Sequence, residues 1–152
     1  MKERCLVLIK PDALQKRLTG VIVDRLERLE LDIVGAKTVS LTEDLVRQHY
    51  AHLAGKPFLE SVVRYMMGDY NQIANHKIIA FVFQGENAVA KIRTALGATN
   101  PDNAAPWTIR GSFGKFDKQA DIVYNCAHAS DDARQAEREI ALWFKPQEIL
   151  DA

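Results

Sequence analysis

The sequence has no surplus of either charge: 20 Lys and Arg stand against 20 Asp and Glu in 152 residues, for a net charge of zero at pH 7. Without a basic excess there is no general surface for nucleic acid or an anionic membrane. Any phosphate it holds must be held by a few local cations. It has only two cysteines, Cys5 and Cys126, far apart and outside any C-x-x-C pattern. That usage fits a reduced, cytoplasmic protein with both cysteines in or beside strands. No apolar run approaches the length needed to span a bilayer, and the start, Met1-Lys-Glu-Arg-Cys5, lacks a signal-peptide layout. Low-complexity tracts, internal repeats and linkers are missing as well. What is present, 47% hydrophobic and 26% charged residues, is ordinary for a globular protein, and the length predicts one domain over 1–152.

Cys5-Leu-Val-Leu-Ile9 is a continuous apolar run, predicting a strand buried on both faces and stopped by Lys10-Pro11-Asp12. Thr19 to Leu29 reads as a helix with Ile22, Leu26 and Leu29 on one face. Ile33 to Leu41 reads as a second strand. Within it, Gly35-Ala-Lys37-Thr38 invites comparison with a phosphate-binding P-loop, but Glu30 stands where that motif needs its first glycine. The P-loop is therefore rejected. Thr42 opens a helix reaching about His52, and Lys56-Pro57-Phe58 opens another reaching Met67. A third strand, Lys77 to Phe83, is punctuated by Gly85-Glu86-Asn87 and followed by a helix from Ala88 to Leu96. From Gly97 a long irregular region is expected, rich in turn formers such as Asn100-Pro101 and Ala105-Pro106.

That region ends at Asp121-Ile-Val-Tyr124, a short strand leading into Asn125-Cys-Ala-His128-Ala-Ser130-Asp-Asp132. Ser130 is the expected N-cap of a last helix, whose apolar face is Ala133, Ala136, Ile140 and Trp143 or Phe144. His128 then falls at a strand-to-helix junction, where an imidazole can face a cleft. Histidine can act as a covalent nucleophile near neutral pH, although most loop histidines are merely solvated. The order of elements is compatible with an α/β (α+β sandwich) fold, a ferredoxin-like four-stranded antiparallel sheet covered by helices.

The histidine stretch, with Thr108-Ile-Arg-Gly111 before it and Glu139-Ile-Ala-Leu-Trp-Phe144 after it, resembles the signature of nucleoside diphosphate kinases. Ile9-Lys-Pro-Asp-Ala13, His49-Tyr-Ala51, Gly55-Lys-Pro-Phe58, Gly85-Glu-Asn-Ala-Val89 and Leu96-Gly-Ala-Thr-Asn-Pro101 match in the same order. The resemblance covers almost the whole chain. It implies ping-pong transfer of a terminal phosphoryl group between nucleotides through a phosphohistidine at His128. Asn125 and Lys10 would contact the sugar, with Lys10 also near the transferred group. Arg93, Thr99 and Arg110 would hold the phosphates, and Tyr50 would position His128. Phe58 would stack on the base with Val62 beside it, so broad base specificity is implied. Ser130 and Glu139 would orient the imidazole from behind. Mg²⁺ would be held mainly by the nucleotide phosphates and water, with no dedicated protein cage, although Asp131 would contribute through water.

The resemblance also implies a homo-oligomer. A hexamer is favoured over a tetramer because the chain ends at Ala152, soon after Phe144. Four features depart from the family pattern: Ala129 in place of a glycine after the histidine, Trp107 in place of a small residue, and longer segments at 68–77 and 115–124. The competing reading is a ferredoxin-like nucleotide sensor that keeps the pocket without turnover.

Overall fold

The computed structural model describes residues 2–150. Strand β1 (Lys2–Ile9) runs through the middle of a four-stranded sheet. It pairs antiparallel with β3 (Lys77–Glu86) on one side and with β6 (Ala127–Ala129) on the other, while β2 (Asp32–Ser40) pairs with the outer edge of β3. The sheet order β2-β3-β1-β6 is the ferredoxin-like arrangement. Cys5 to Ile9 are completely buried because both faces of the sheet are covered, which is why the run is apolar without alternation.

Alternate residues of β1 feed two apolar layers. Cys5, Val7 and Ile9 pack with Ile22 and Leu26 of α2 (Thr19–Glu27) and with Val89, Ile92 and Leu96 of α5 (Ala88–Leu96). Leu6 and Leu8 pack with Val46 of α3 (Glu43–His49), Val63 and Met66 of α4 (Leu59–Met66), and Ala136, Ile140 and Trp143 of α7 (Ala133–Trp143).

Gly35-Ala-Lys37-Thr38 lies within β2, in register with Val82 to Ile79 of β3, so it forms no phosphate loop. Thr42 caps α3 as expected, accepting from Leu45 N at 3.2 Å. β3 continues through Gly85 and Glu86 instead of stopping before them. A short helix α1 (Pro11–Gln15) follows β1 directly, because Pro11 sits in the first turn, where its missing N–H costs nothing. The segment 68–77 is a chain of turns ending in a 3-10 turn, Ala74–His76.

The region from Gly97 to Tyr124 is ordered, against the expectation of a long irregular loop, and the strand expected at 121–124 joins a hairpin outside the four-stranded sheet. The region contains a 3-10 turn (Pro101–Asn103), helix α6 (Ile109–Phe113) and a hairpin of β4 (Lys115–Asp117) with β5 (Ile122–Tyr124). Side chains close it locally: Asn100 accepts from Asp102 N, and Thr108 from Gly111 N. Gly111 is required here, since a Cβ would lie 1.9 Å from the Ala105 carbonyl oxygen. Trp107 is 80% exposed. The end of the chain at Ala152 lies outside the described residues.

Candidate active site

Lys10 sits where β1 gives way to α1, and its N–H donates to the Cys126 carbonyl at 2.9 Å. Its ammonium donates to Asn125 Oδ1 at 2.8 Å and lies 5.4 Å from the centre of the Tyr65 ring. Two residues on, buried Asp12 accepts from the Tyr65 hydroxyl and, at 3.1 Å, from Cys126 N. Cys126 has φ 70°, a left-handed conformation that β-carbon-bearing residues rarely take. Asp12 holds that turn, and the turn swings the chain from β5 into β6. His128 therefore lies in a strand opposite Leu8, not in a loop.

The imidazole of His128 is fixed from one side. Its Nε2 lies 3.0 Å from Glu139 Oε2, the same oxygen that accepts from Ser130 Oγ at 2.7 Å. A carboxylate only accepts, so Nε2 carries the proton and Nδ1 keeps its lone pair. Ser130 is buried and also accepts from Leu6 N at 3.1 Å. It therefore does not cap α7; Asp132 does, accepting from Gln135 N at 2.8 Å. The His128 side chain remains 14% exposed, enough to meet a reactant.

Behind it stands His49, which the sequence reading quoted but gave no role. The His49 ring meets His128 edge-to-face at 4.5 Å and Tyr50 at 4.6 Å. His49 is thus in ring contact with both Tyr50 and His128. Trp143 Nε1–H donates to His49 Nδ1 at 3.0 Å, so the neutral His49 carries its proton on Nε2. His49, His128 and Glu139 offer ligand atoms within 4.8 Å of one another. Two imidazoles and one carboxylate are not the oxygen-rich set that Mg²⁺ takes, and the bonds to Trp143 and Ser130 already account for them.

Three cations face this pair. Arg110 is buried and donates to three backbone carbonyls: Ala127 at 2.8 Å, Gly97 at 3.0 Å and Asn125 at 3.3 Å. A guanidinium has five N–H groups, so donors remain for an anion. Arg93 extends from α5 and pairs with Asp131 at 2.6 Å, both partly exposed. Burial, aided by Lys10 and Arg110, pulls His128 down to about 3. Burial and the neighbouring Arg110 pull Lys10 down to about 7, against the pull of Asp12. A site whose own cations depress one another's charge is prepared for an anion that relieves them. Asn125 links the parts, since its Nδ2 donates at 3.1 Å to the carbonyl of Thr99, whose side chain is on the exposed side of the loop.

From Tyr65 a slot of about 520 Å³ opens outward. Pro57, Phe58, Ser61, Val62 and Tyr65 form one wall, and Ala120 to Val123 of the β4–β5 hairpin form the other. Phe58, at the start of α4, is 49% exposed and so is not core packing. Tyr65 and Asp12 were missed as site residues. The signal for Tyr65 was its helical spacing from Phe58 and Val62, which puts all three on one face. Ala129 is accommodated without strain: it is paired with Val7 in extended backbone, and the left-handed position is Cys126.

Comparison with known proteins gives the family. A family model described as nucleoside diphosphate kinase matches residues 3–149. The nucleoside diphosphate kinase of Desulfitobacterium hafniense is 44% identical over 149 residues, covering 98% of this chain and 92% of that protein. That of Pyrococcus furiosus is 43% identical, covering 98% and 87%. Among solved structures, the Borrelia burgdorferi nucleoside-diphosphate kinase, a transition-state mimic with bound vanadate and ADP, superposes with a TM-score of 0.87 at 32% identity, covering 99% of this chain and 92% of that one. The halophilic Halobacterium salinarum nucleoside diphosphate kinase, in complex with CDP, gives 0.86 at 38% identity, covering 100% and 93%. The match takes in β1 and α7 alike, and with them every element that holds His128; the chain belongs to the nucleoside diphosphate kinase family.

Proposed function

We propose that this protein transfers the terminal phosphoryl group of a nucleoside triphosphate to a nucleoside diphosphate in two half-reactions through His128. The observation that carries this reading is the bond from His128 Nε2 to Glu139, which leaves Nδ1 as the nucleophile. Its lone pair forms a bond to the γ-phosphorus while the bond to the β–γ bridging oxygen breaks, and the diphosphate leaves with that oxygen. A second diphosphate reverses the step. Nothing needs to be deprotonated, so positioning and charge stabilisation dominate.

Lys10, Arg93 and Arg110 neutralise the phosphates, and the backbone and side chain of Thr99 line their path. Asn125 and Lys10 hold the sugar end, Phe58 and Val62 take the base, and Tyr50, Ser130 and Glu139 keep the imidazole in place. Stacking on Phe58 is tolerant of base type. The carboxylates near the site are largely engaged, Asp12 by Tyr65 and Cys126 N and Asp131 by Arg93. That fits a Mg²⁺ carried in on the phosphates, with Asp131 reaching it through water. The ion would supply charge neutralisation of the phosphate oxygens.

Among the described residues no helix is long and apolar enough to cross a membrane. We read the protein as a cytoplasmic homo-oligomer, with a hexamer expected over a tetramer. The exposed Trp107 supports a subunit contact, as does the outer strand β2, which has a strand on one side only.

The test is incubation with Mg²⁺ and γ-labelled ATP without acceptor. Acid-labile label held at His128, discharged by GDP and abolished in His128→Ala, is the expected result. Tight nucleotide binding without labelling would overturn it and leave a sensor.

A further inference from the structure

The slot that receives the base has an asymmetry the phosphate chemistry does not use. Nine residues line it: Pro57, Phe58, Ser61, Val62 and Tyr65 on the helical wall, and Ala120 to Val123 on the hairpin. Of these, Asp121 alone carries a carboxyl group, and the Tyr65 phenol is held protonated by burial and by its bond to Asp12. Asp121 stands at the hairpin corner with φ 54°, a conformation aspartate tolerates better than most residues.

The corner is fixed, not loose. Asp117 Oδ1 accepts from Gln119 N and Ala120 N, both at 3.1 Å, which locks the turn just before Asp121. Lys118 Nζ reaches Asp102 Oδ2 at 3.6 Å, tying the tip to the 3-10 turn beyond Thr99. This hairpin is the segment 115–124 whose extra length set the sequence apart.

We propose that Asp121 reads the hydrogen-bonding edge of the base and biases this enzyme toward guanine nucleotides. The proposal rests on placing the base against Phe58. A carboxylate has two acceptor oxygens and no donor. Guanine alone offers two adjacent donors on its pairing edge, N1–H and N2–H₂, so it alone can engage both oxygens. Adenine and cytosine offer one amino donor beside a ring-nitrogen acceptor that the carboxylate repels. Uracil and thymine offer one N–H between two carbonyls, the poorest match. The stacking contact accepts all of them, so the bias is a preference laid over broad use.

The experiment measures kcat/KM for GDP, ADP, CDP and UDP as acceptors from the phosphorylated protein at one salt concentration. The expected result is GDP favoured over UDP by about tenfold, the scale of one good bidentate contact. Asp121→Ala should compress that ratio to about twofold by removing the contact. Asp121→Asn, which tolerates the same backbone, presents one acceptor and one donor and should move the preference toward ADP. A flat acceptor profile in the unaltered protein, or a GDP/UDP ratio unchanged in both variants, overturns the proposal. Failure of the unaltered protein to take label from ATP would instead overturn the phosphotransfer reading, so the two are told apart.

Discussion

His128 and Lys10 are both held away from their ordinary protonation, in ways that give activity a defined response to pH. His128, pulled down to about 3 by burial and then by Lys10 and Arg110, stays neutral well below the range where a free imidazole protonates. Phosphorylation of His128 by ATP should therefore persist at pH 5, and a rapid-quench pH series checks it. Lys10, pulled down to about 7, loses its charge as pH rises through that value in the free protein. Bound phosphate restores the charge, so kcat/KM should fall above about pH 7 while kcat falls later. Stability follows the same groups. His49 and His128 have folded values below their unfolded value of 6.5, so the unfolded chain binds more protons as pH drops below that value, and stability falls with it. The slope has a ceiling of about 1.4 kcal/mol per pH unit for each ring, and urea midpoints between pH 7 and 4 would read it. At this scale Lys10, Asn125 and His128 were singled out by the family resemblance, since by type alone a strand-end lysine or a loop histidine is most often solvated. The sequence did not give Asp12, Tyr65 or His49 their roles, because their partners Cys126, Asp12 and Trp143 lie 114, 53 and 94 positions away.

Ser130 and Asp132 show what a local rule can and cannot tell about an element. Either is a good cap by type, and the sequence reading chose Ser130. The choice failed because Leu6 N and Glu139 compete for the serine hydroxyl in the buried layer under β6, leaving the first turn of α7 to Asp132. The two variants should part accordingly. Asp132→Ala should cost about 1 kcal/mol, the typical loss of a cap, with kcat unchanged. Ser130→Ala should cost about 2 kcal/mol, since a buried Leu6 N–H loses its acceptor, and should also lower kcat as Glu139 loosens. Urea unfolding and steady-state assays on both proteins separate the outcomes. The same limit applies to the ordered stretch from Gly97 to Tyr124. Its glycines and prolines signalled turns, but four short elements form there, and Arg110 ties Gly97 at its start to Asn125 and Ala127 just past its end.

The topology and three strands of the sheet were legible because their signal is repeated. The fourth strand was not, since the strand expected at 121–124 pairs with β4 and the sheet edge is β6. Five consecutive buried residues in β1, helices of regular period on each side and short connections all favour one topology. The proposed assembly is less legible, since a single exposed aromatic such as Trp107 does not by itself specify a partner or a number of copies. Sedimentation velocity of the purified protein should show a closed oligomer, and Trp107→Ser should shift it toward smaller species without altering the far-ultraviolet spectrum of the chain.

One further property follows from how Arg110 is held. Its three anchors are all main-chain carbonyls, and a carbonyl is supplied by any residue whatever its side chain. Replacing the Ala127 side chain therefore leaves the acceptor it offers the arginine in place, provided the backbone path is kept. Beside the nucleophile the clamp holds the shape of the chain and not its letters.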